Sequence, residues 1–402
     1  AQHSSTPYPL VIVGSGPAGV SAARAYVDAG GPGPVLMLTS DVDHPYERPP
    51  LSKEFLSGQF QAADLTLEID GEQLDAEWLL GVRAVSFDPV SREVTLEDGR
   101  TVRADLLVIA TGASARQLPE LTGLDNVLTL RTLEDARKLR ALVERGGQLV
   151  VLGAGFIGAE VASTAHSLGL QVTVLEKSTT PLRGPLGAEM GSVVARLHEQ
   201  AGVELLCGID IEGFNTEDNS VTHVRLADGR VLPADIVVVG IGAQPNVAWL
   251  EGSGIDVGNG VVCDAAGRTT VPGVVAVGDC AAWLDTRTGQ HRRVEHWAGA
   301  VGRPAVAVGA LLDHDDAYLP VEQPYFWSCQ YGARLQFVGD MTGSDRVIYE
   351  HGGPGEESFL AVYYAGDDPV AVLGWNQPKQ FTRWRKFLAK LAVSSAEQRL
   401  IA

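Results

Sequence analysis

Two segments of this chain carry the same backbone pattern, and that repetition restricts the possible folds more than any bulk property does. The first reads Val11-Ile12-Val13-Gly14-Ser15-Gly16-Pro17-Ala18-Gly19, the second Val150-Val151-Leu152-Gly153-Ala154-Gly155-Phe156-Ile157-Gly158. In each, an apolar run of strand length ends in Gly-x-Gly-x-x-Gly and leads into a helix-forming stretch. The glycines let the backbone turn tightly and approach a pyrophosphate, and the helix N-terminus behind them offers oriented N–H groups with a partial positive charge. A single motif of this type is weak evidence. Here each copy is followed by a matching segment, Asp98 to Ala113 and Asp228 to Ala243, and eight of the sixteen paired positions are identical. We read this as an internal duplication. Two such units can hold two dinucleotides face to face, the arrangement in which one redox cofactor reduces another.

The chain has 402 residues, more than one typical domain, and 46 glycines with 45% hydrophobic and 20% charged residues suit an α/β protein of many tight turns. No apolar run approaches the ~20 residues that cross a bilayer, and Ala1 to Pro9 has neither a basic nor an apolar leader region, so a soluble, cytoplasmic protein is expected. The formal charge of −19 argues against nucleic acid or an anionic membrane as partner. One basic island stands out near the C-terminus, where Lys379, Arg383, Arg385, Lys386 and Lys390 lie among Phe381, Trp384 and Phe387. It reads either as a solvated helix face or as a dock for an acidic protein. The four cysteines, Cys207, Cys263, Cys280 and Cys329, lack the spacing of a metal site or redox dithiol, and none precedes Cys207. All four are expected to be buried, reduced thiols.

Apolar runs at 106–110, 149–152, 172–175, 236–239 and 274–277 read as buried parallel strands with ligands gathered at their C-terminal ends. Ala276-Val277-Gly278-Asp279 repeats the strand-then-glycine pattern and should return the chain to the first unit. The expected fold is α/β, with two Rossmann-like dinucleotide-binding domains in a glutathione-reductase-like architecture plus a C-terminal α+β domain. The expected boundaries are 1–114 with 246–318, 115–245, and 319–402, the last rich in alternating and aromatic residues such as Tyr325-Phe326-Trp327.

Consecutive prolines in Arg48-Pro49-Pro50-Leu51-Ser52-Lys53 impose a stiff, extended approach that aims Lys53, with Ser52 expected to cap a short helix ending near Gly58. Together with Ala110-Thr111-Gly112, Leu130-Arg131-Thr132-Leu133-Glu134-Asp135-Ala136, Gly278-Asp279 and Phe326-Trp327-Ser328, this segment resembles the NADH-dependent, FAD-containing ferredoxin reductases that serve bacterial oxygenases, a family related to apoptosis-inducing factor. The resemblance spans nearly the whole chain. It implies FAD in the first unit, with Gly14, Gly16, Ala18 and Gly19 on the pyrophosphate and Arg48 and Arg131 nearby. Ala84 and Thr111 would supply backbone contacts, Asp279 would meet the ribityl chain, and Trp297 would lie at the far end of the isoalloxazine. The acidic residue that relatives place on the FAD ribose falls at Ser40, with Asp41 next to it, and either suits the diol. Lys53 would lie beside the ring with Glu160 as its partner, the carboxylate tuning a lysine that stabilises negative charge on reduced flavin.

The same resemblance places NAD(H) in the second unit, with Gly153, Gly155, Phe156, Ile157 and Gly158 as its cradle, Gly242 beside it, and Arg183 near the adenosine half. Glu176 ends the next apolar run, where an acid grips a ribose diol and repels a 2′-phosphate, so NADH is expected over NADPH. The implied activity carries electrons from NADH through FAD to a small acidic [2Fe-2S] ferredoxin, docked near the basic island and Trp327. Relatives carry Trp-Ser-Asp-Gln where this chain has Trp327-Ser328-Cys329-Gln330. Alternatives are an NADH oxidase or rubredoxin-type reductase, and an NADH-sensing interaction protein like apoptosis-inducing factor. Monomer and homodimer are both open, and no metal site is expected.

Overall fold

The structure, a computed structural model, describes residues 6–67, 74, 76–286, 288–293, 297–314 and 323–401, with the backbone alone for 297–301 and 395–401. The strand Tyr8–Val13 turns through Gly14 into helix α1 (Pro17–Asp28), which begins with proline at its first position, where the missing N–H has no helical partner to lose. Val35–Leu38 and Thr101–Ile109 lie parallel on either side of Tyr8–Val13. Ala76–Leu79 extends this sheet on one edge, and the antiparallel strands Glu93–Leu96 and Ala84–Asp88 extend it on the other. Val274–Ala276 pairs in parallel with Thr101–Ile109, so the chain returns to its first sheet late in the sequence.

Helix α2 (Leu133–Val143) opens on a capping box, in which Thr132 accepts from the Asp135 N–H while Asp135 accepts from the Thr132 N–H. The second parallel sheet runs Glu204–Cys207, Gln171–Glu176, Gln148–Leu152, Ile236–Val239, Val127–Leu128. Helix α3 (Phe156–Ser167) follows its central strand, and α4 (Arg183–Ala201) follows Gln171–Glu176. The near-continuous apolar strands Ile236–Val239 and Gln148–Leu152 are buried, the latter at all but its first residue, as a sheet covered on both faces requires.

The duplication is visible atom for atom. The Gly14 N–H donates to Leu38 O and the Gly153 N–H to Leu175 O, both at 2.7 Å. Ala110 N–H donates to Val13 O at 2.8 Å, and Gly240 N–H to Leu152 O at 2.7 Å. The strands that leave the two units, Ala113–Ala115 and Ala243–Pro245, pair antiparallel with each other, with Ser114 opposite Gln244. Equivalent segments thus meet about a local two-fold axis and tie the units together.

Helix α5 (Trp297–Leu311) packs on α1. The C-terminal portion is a five-stranded antiparallel sheet ordered Tyr325–Gln330, Ala333–Gly339, Asp368–Trp375, Phe359–Ala365, Arg346–His351. One face packs Leu335, Phe337, Phe359 and Tyr363 against Leu186, Met190 and Val194 of α4. The other packs Val338, Leu360 and Val372 against Phe381 and Leu388 of α6 (Pro378–Ile401). Burial of Phe381 and Leu388 contributes about 2 kcal/mol each to holding α6 on the sheet. The expected start of this portion near Leu319 lies outside the described residues.

Two expectations are corrected. The Arg48–Lys53 segment is neither extended nor followed by a Ser52-capped helix to Gly58: Arg48 is already helical, Pro49–Ser52 form a short 3-10 turn that Ser52 ends, and the Ser52 hydroxyl is turned to Glu160. The four cysteines are all free, but only Cys263 and Cys280 are buried; Cys207 is half-buried and Cys329 exposed, since alternate residues of its strand face outward.

Candidate active site

Both glycine turns open into a single cleft of about 1540 Å³, lined by Gly14, Gly16 and Ala18 on one side and Gly153, Gly155 and Gly158 on the other. That volume exceeds the ~300–1,000 Å³ usual for one drug-sized ligand. The turns require glycine for a steric reason. A Cβ on Gly14 would lie 1.9 Å from Ala110 O, and one on Gly153 would lie 2.1 Å from Gly240 O. Both residues also have positive φ, 115° and 101°. Gly19 and Gly158 face the same restriction from Gly14 O and Gly153 O at 2.0 and 2.2 Å, which brings each helix close against its turn. Gly16 and Gly155 sit at the helix N-terminal boundaries with nothing within 4 Å of a built Cβ, so the space before both helix N-termini is open. Two dinucleotide phosphates fit these cradles, because the open space lies directly before two helix N-termini, whose first N–H groups have no intrahelical partner.

Lys53 and Glu160 meet between the cradles. The Pro49–Ser52 turn belongs to the first unit in sequence, yet Leu51, Phe55 and Leu56 share a core with Leu133, Val161, Ala162 and Ala165 of the second. Buried neighbours on both sides fix where Lys53 points. Its ammonium forms an ion pair with Glu160, and the Lys53 and Glu160 side chains are 17% and 4% exposed. Ser52 Oγ donates to Glu160 Oε2 at 3.0 Å and Ser328 Oγ to Oε1 at 3.1 Å. Burial pushes the Glu160 carboxyl above its ordinary value, opposed by the Lys53 ammonium and by these hydroxyls.

Along the first unit, Arg48 donates to the Arg131 carbonyl and lies 3.4 Å from Asp41 Oδ2. The Arg131 guanidinium pairs with Asp279 and donates to Ala113 O at 2.9 Å. Thr111 Oγ1 donates to Asn246 O at 2.7 Å, holding that turn against the strand pair between the units. Ser40, Asp41, Arg48, Ala84, Thr111, Arg131 and Asp279 all line the cleft. Gly19 supports the turn from behind and is not part of the lining. Helix α5 begins at Trp297, but its side chain lies outside the described residues.

Along the second unit, Phe156, Ile157, Glu176, Arg183 and Gly242 line the cleft. Glu176 ends its strand with Oε2 accepting from Ala154 N–H and Oε1 from Ser178 N–H, both at 2.9 Å, so its carboxylate is held at the cradle's edge. Lys177 beside it also lines the cleft, exposed, with its ammonium 3.9 Å from Asp210 Oδ1. The Phe156 ring packs on Phe326 from the C-terminal sheet, centroids 4.6 Å apart. Trp327 also lines the cleft and stacks on Tyr325. Sequence reasoning missed Ser52 and Ser328 as donors to Glu160, and Asn246 as the tie to Thr111. The two serines lie inside segments already singled out, but nothing local to either points to Glu160.

Among the described residues, no group of three or more His, Cys, Asp or Glu is placed to hold a metal ion, and no helix is long and apolar enough to cross a membrane. Residues 8–303 match the family model described as pyridine nucleotide-disulphide oxidoreductase, and residues 325–400 match the reductase C-terminal model. The chain is 34% identical to putidaredoxin reductase CamA of Pseudomonas putida, over 94% of this chain and 91% of that protein. It is also 34% identical to the anthranilate 1,2-dioxygenase system ferredoxin–NAD(+) reductase component of Burkholderia cepacia, over 97% and 96%. The solved covalent putidaredoxin reductase–putidaredoxin complex matches with a TM-score of 0.90 at 32% identity, covering 95% of this chain and 93% of that one. The α/β fold with paired glycine cradles and an antiparallel C-terminal sheet is the architecture of that reductase. The chain therefore belongs to the pyridine nucleotide-disulphide oxidoreductase family, in the branch formed by the ferredoxin–NAD(+) reductases of oxygenase systems.

Proposed function

We propose that this protein carries electrons from NADH through FAD to a small acidic [2Fe-2S] ferredoxin that supplies a cytochrome P450 or Rieske-type oxygenase. The observation that carries this reading is the single cleft into which both glycine turns open, with the Lys53–Glu160 pair between them. When bound, FAD takes two electrons from NADH and gives them up one at a time, converting a two-electron donor to one-electron acceptors.

In this reading residues 1–114 and 246–318 form the FAD domain, 115–245 the NAD domain, and 319–402 the docking domain. Gly14, Gly16, Ala18 and Gly19 cradle the FAD pyrophosphate, with Arg48 and Arg131 adding positive charge. Ser40 and Asp41 both line the cleft, Ser40 exposed and Asp41 paired with Arg48, and either takes the ribose diol. Ala84 and Thr111 contribute backbone contacts, Asp279 holds the ribityl chain, and Trp297 borders the ring. Lys53 stabilises negative charge on the isoalloxazine, with Glu160 setting the position of its ammonium. Gly153, Gly155, Phe156, Ile157, Gly158 and Gly242 receive NADH, Glu176 takes the ribose diol, and Arg183 meets the adenosine half.

The basic island fits an acidic partner. Lys379, Arg383, Lys386 and Lys390 recur at spacings of four, three and four along α6, which puts them on one face, and all four are exposed. On a chain of net charge −19, this local positive stripe orients an acidic protein that the rest of the surface repels. The protein works as a cytoplasmic monomer or homodimer, without nucleic acid or membrane. The test is ferredoxin-dependent reduction of cytochrome c by NADH across a salt series. Reduction that requires an acidic ferredoxin and weakens with salt is expected; flavin that NADH bleaches but that never reduces any ferredoxin would overturn the acceptor assignment.

A further inference from the structure

A second cavity, of about 490 Å³, shares Lys53 with the main cleft and is lined by the Lys53–Gln59 segment, α3 and the first turn of the C-terminal sheet. Ser57, Gln59, His166 and Cys329 line it, and Cys329 is exposed. Among the described residues, Lys53 is the one that lines both cavities. Its partner Glu160 lines only the main cleft and is almost fully buried. The pair thus joins the place where chemistry occurs to a second opening toward water.

The proposed function creates a need for such an opening. NADH supplies two electrons and one proton beyond NAD(+), whereas two ferredoxins accept electrons only. The balance is NADH + 2 oxidised ferredoxin → NAD(+) + 2 reduced ferredoxin + H(+). One proton must return to water in every cycle, and dinucleotides filling the main cleft displace the water there. We propose that the second cavity is the proton exit and that Lys53 hands the proton into it, an inference that rests on the electron-transfer reading above. As the bound flavin gives up its electrons, a ring N–H bond breaks and its proton forms an O–H bond on Glu160; an N–H bond of the Lys53 ammonium breaks toward water in the second cavity, and the Glu160 proton then restores the ammonium. The pair ends as it began. Burial raises the affinity of Glu160 for a proton, in keeping with a transient O–H there. The titratable groups around this route are Glu160 and His166 from α3, Glu54 beside Lys53, and Cys329 and Tyr331 from the C-terminal sheet.

The experiment plugs the second cavity and leaves the cleft untouched. Holoenzyme reduced with NADH is mixed with ferricyanide, a one-electron acceptor, in weak buffer with a pH indicator, and the return of flavin colour and the appearance of protons are followed together. Cys329→Phe fills the cavity and Cys329→Ala is the control. A bulky maleimide placed on Cys329 in folded Cys207→Ser protein serves the same purpose should the phenylalanine variant fail to fold. Proton appearance should lag colour by at least tenfold in the plugged forms and keep pace with it in the alanine variant. A second readout is reductive methylation of Lys53 in holoenzyme saturated with NAD(+), followed by mass spectrometry, which should be lost on plugging. Protons that keep pace with colour in the plugged forms, or Lys53 that stays equally reactive, would overturn the route. A protein that binds no flavin would instead defeat the functional reading itself.

Discussion

Lys53 and Glu160 stand 107 positions apart in the chain and form an ion pair across the seam between the two nucleotide units. Neither unit alone contains the pair, and the Glu160 carboxylate accepts hydrogen bonds from other segments: from Ser52 and Lys53 on one side and from Ser328 of the C-terminal sheet. Three parts of the molecule therefore meet at one buried charge. Removing one partner of a buried pair costs about 3–5 kcal/mol because the other charge is left uncompensated. Lys53→Ala is expected to lower stability by about 3 kcal/mol at pH 8, measured by denaturant unfolding. Without its ammonium, Glu160 has a folded-state pKa raised further above the unfolded value, so its protonated form is favoured in the folded protein. The deficit should therefore shrink as pH falls toward 5. A deficit that does not change with pH would argue against a stranded carboxylate.

The two cradles can be disabled separately. Gly14→Ala places a Cβ against Ala110 O and should yield protein that has lost its yellow cofactor. Gly153→Ala meets Gly240 O and should retain colour while failing to bind the nicotinamide nucleotide. Absorbance spectra and nucleotide titration distinguish these outcomes; identical losses in both variants would contradict the assignment of one dinucleotide to each unit.

Coenzyme choice is assigned to Glu176. A carboxylate held by the Ala154 and Ser178 N–H groups repels a 2′-phosphate, by roughly 2–4 kcal/mol at an effective dielectric of ~20. Glu176→Arg should reverse that sign, raising the NADPH-to-NADH ratio of kcat/KM by one to two orders of magnitude; the KM values should carry most of the change, since the contact is remote from the reacting rings.

His198 of α4 contributes a pH limit unrelated to electron transfer. It is buried, its Nδ1 lies 2.7 Å from the Tyr331 hydroxyl, and burial pushes its pKa down from 6.5 to about 4. The unfolded chain binds a proton between those values and the folded chain does not, so stability is full above about pH 6.5 and falls as pH drops toward 4. The loss approaches about 3 kcal/mol. Melting temperatures across pH 4–7 should therefore slope more steeply in the wild type than in His198→Gln, and equal slopes would contradict the buried neutral imidazole.

The parallel strands and both cradles were legible in the sequence because glycine is required there by close backbone contacts, which leave a local signature. Lys53 was legible for a related reason, since the stiff Pro49-Pro50 approach is itself local. The convergence of Ser52, Glu160 and Ser328 had no such signature. Serine carries no periodicity, and these three residues are brought together only by the packing of the Pro49–Ser52 turn and of the C-terminal sheet against α3. The expectation for Cys329 failed for the same reason, because whether its strand face meets solvent depends on what α3 covers. The antiparallel strands Glu93–Leu96 and Ser220–Leu226 also went unread, their short alternation being obscured by the stronger apolar runs beside them.

The account depends on two dinucleotides meeting in one cleft, and an anaerobic titration tests this most directly. Purified protein should show flavin absorbance bands that bleach completely with one equivalent of NADH per chain. A colourless protein, or flavin bands that persist in excess NADH, would contradict it.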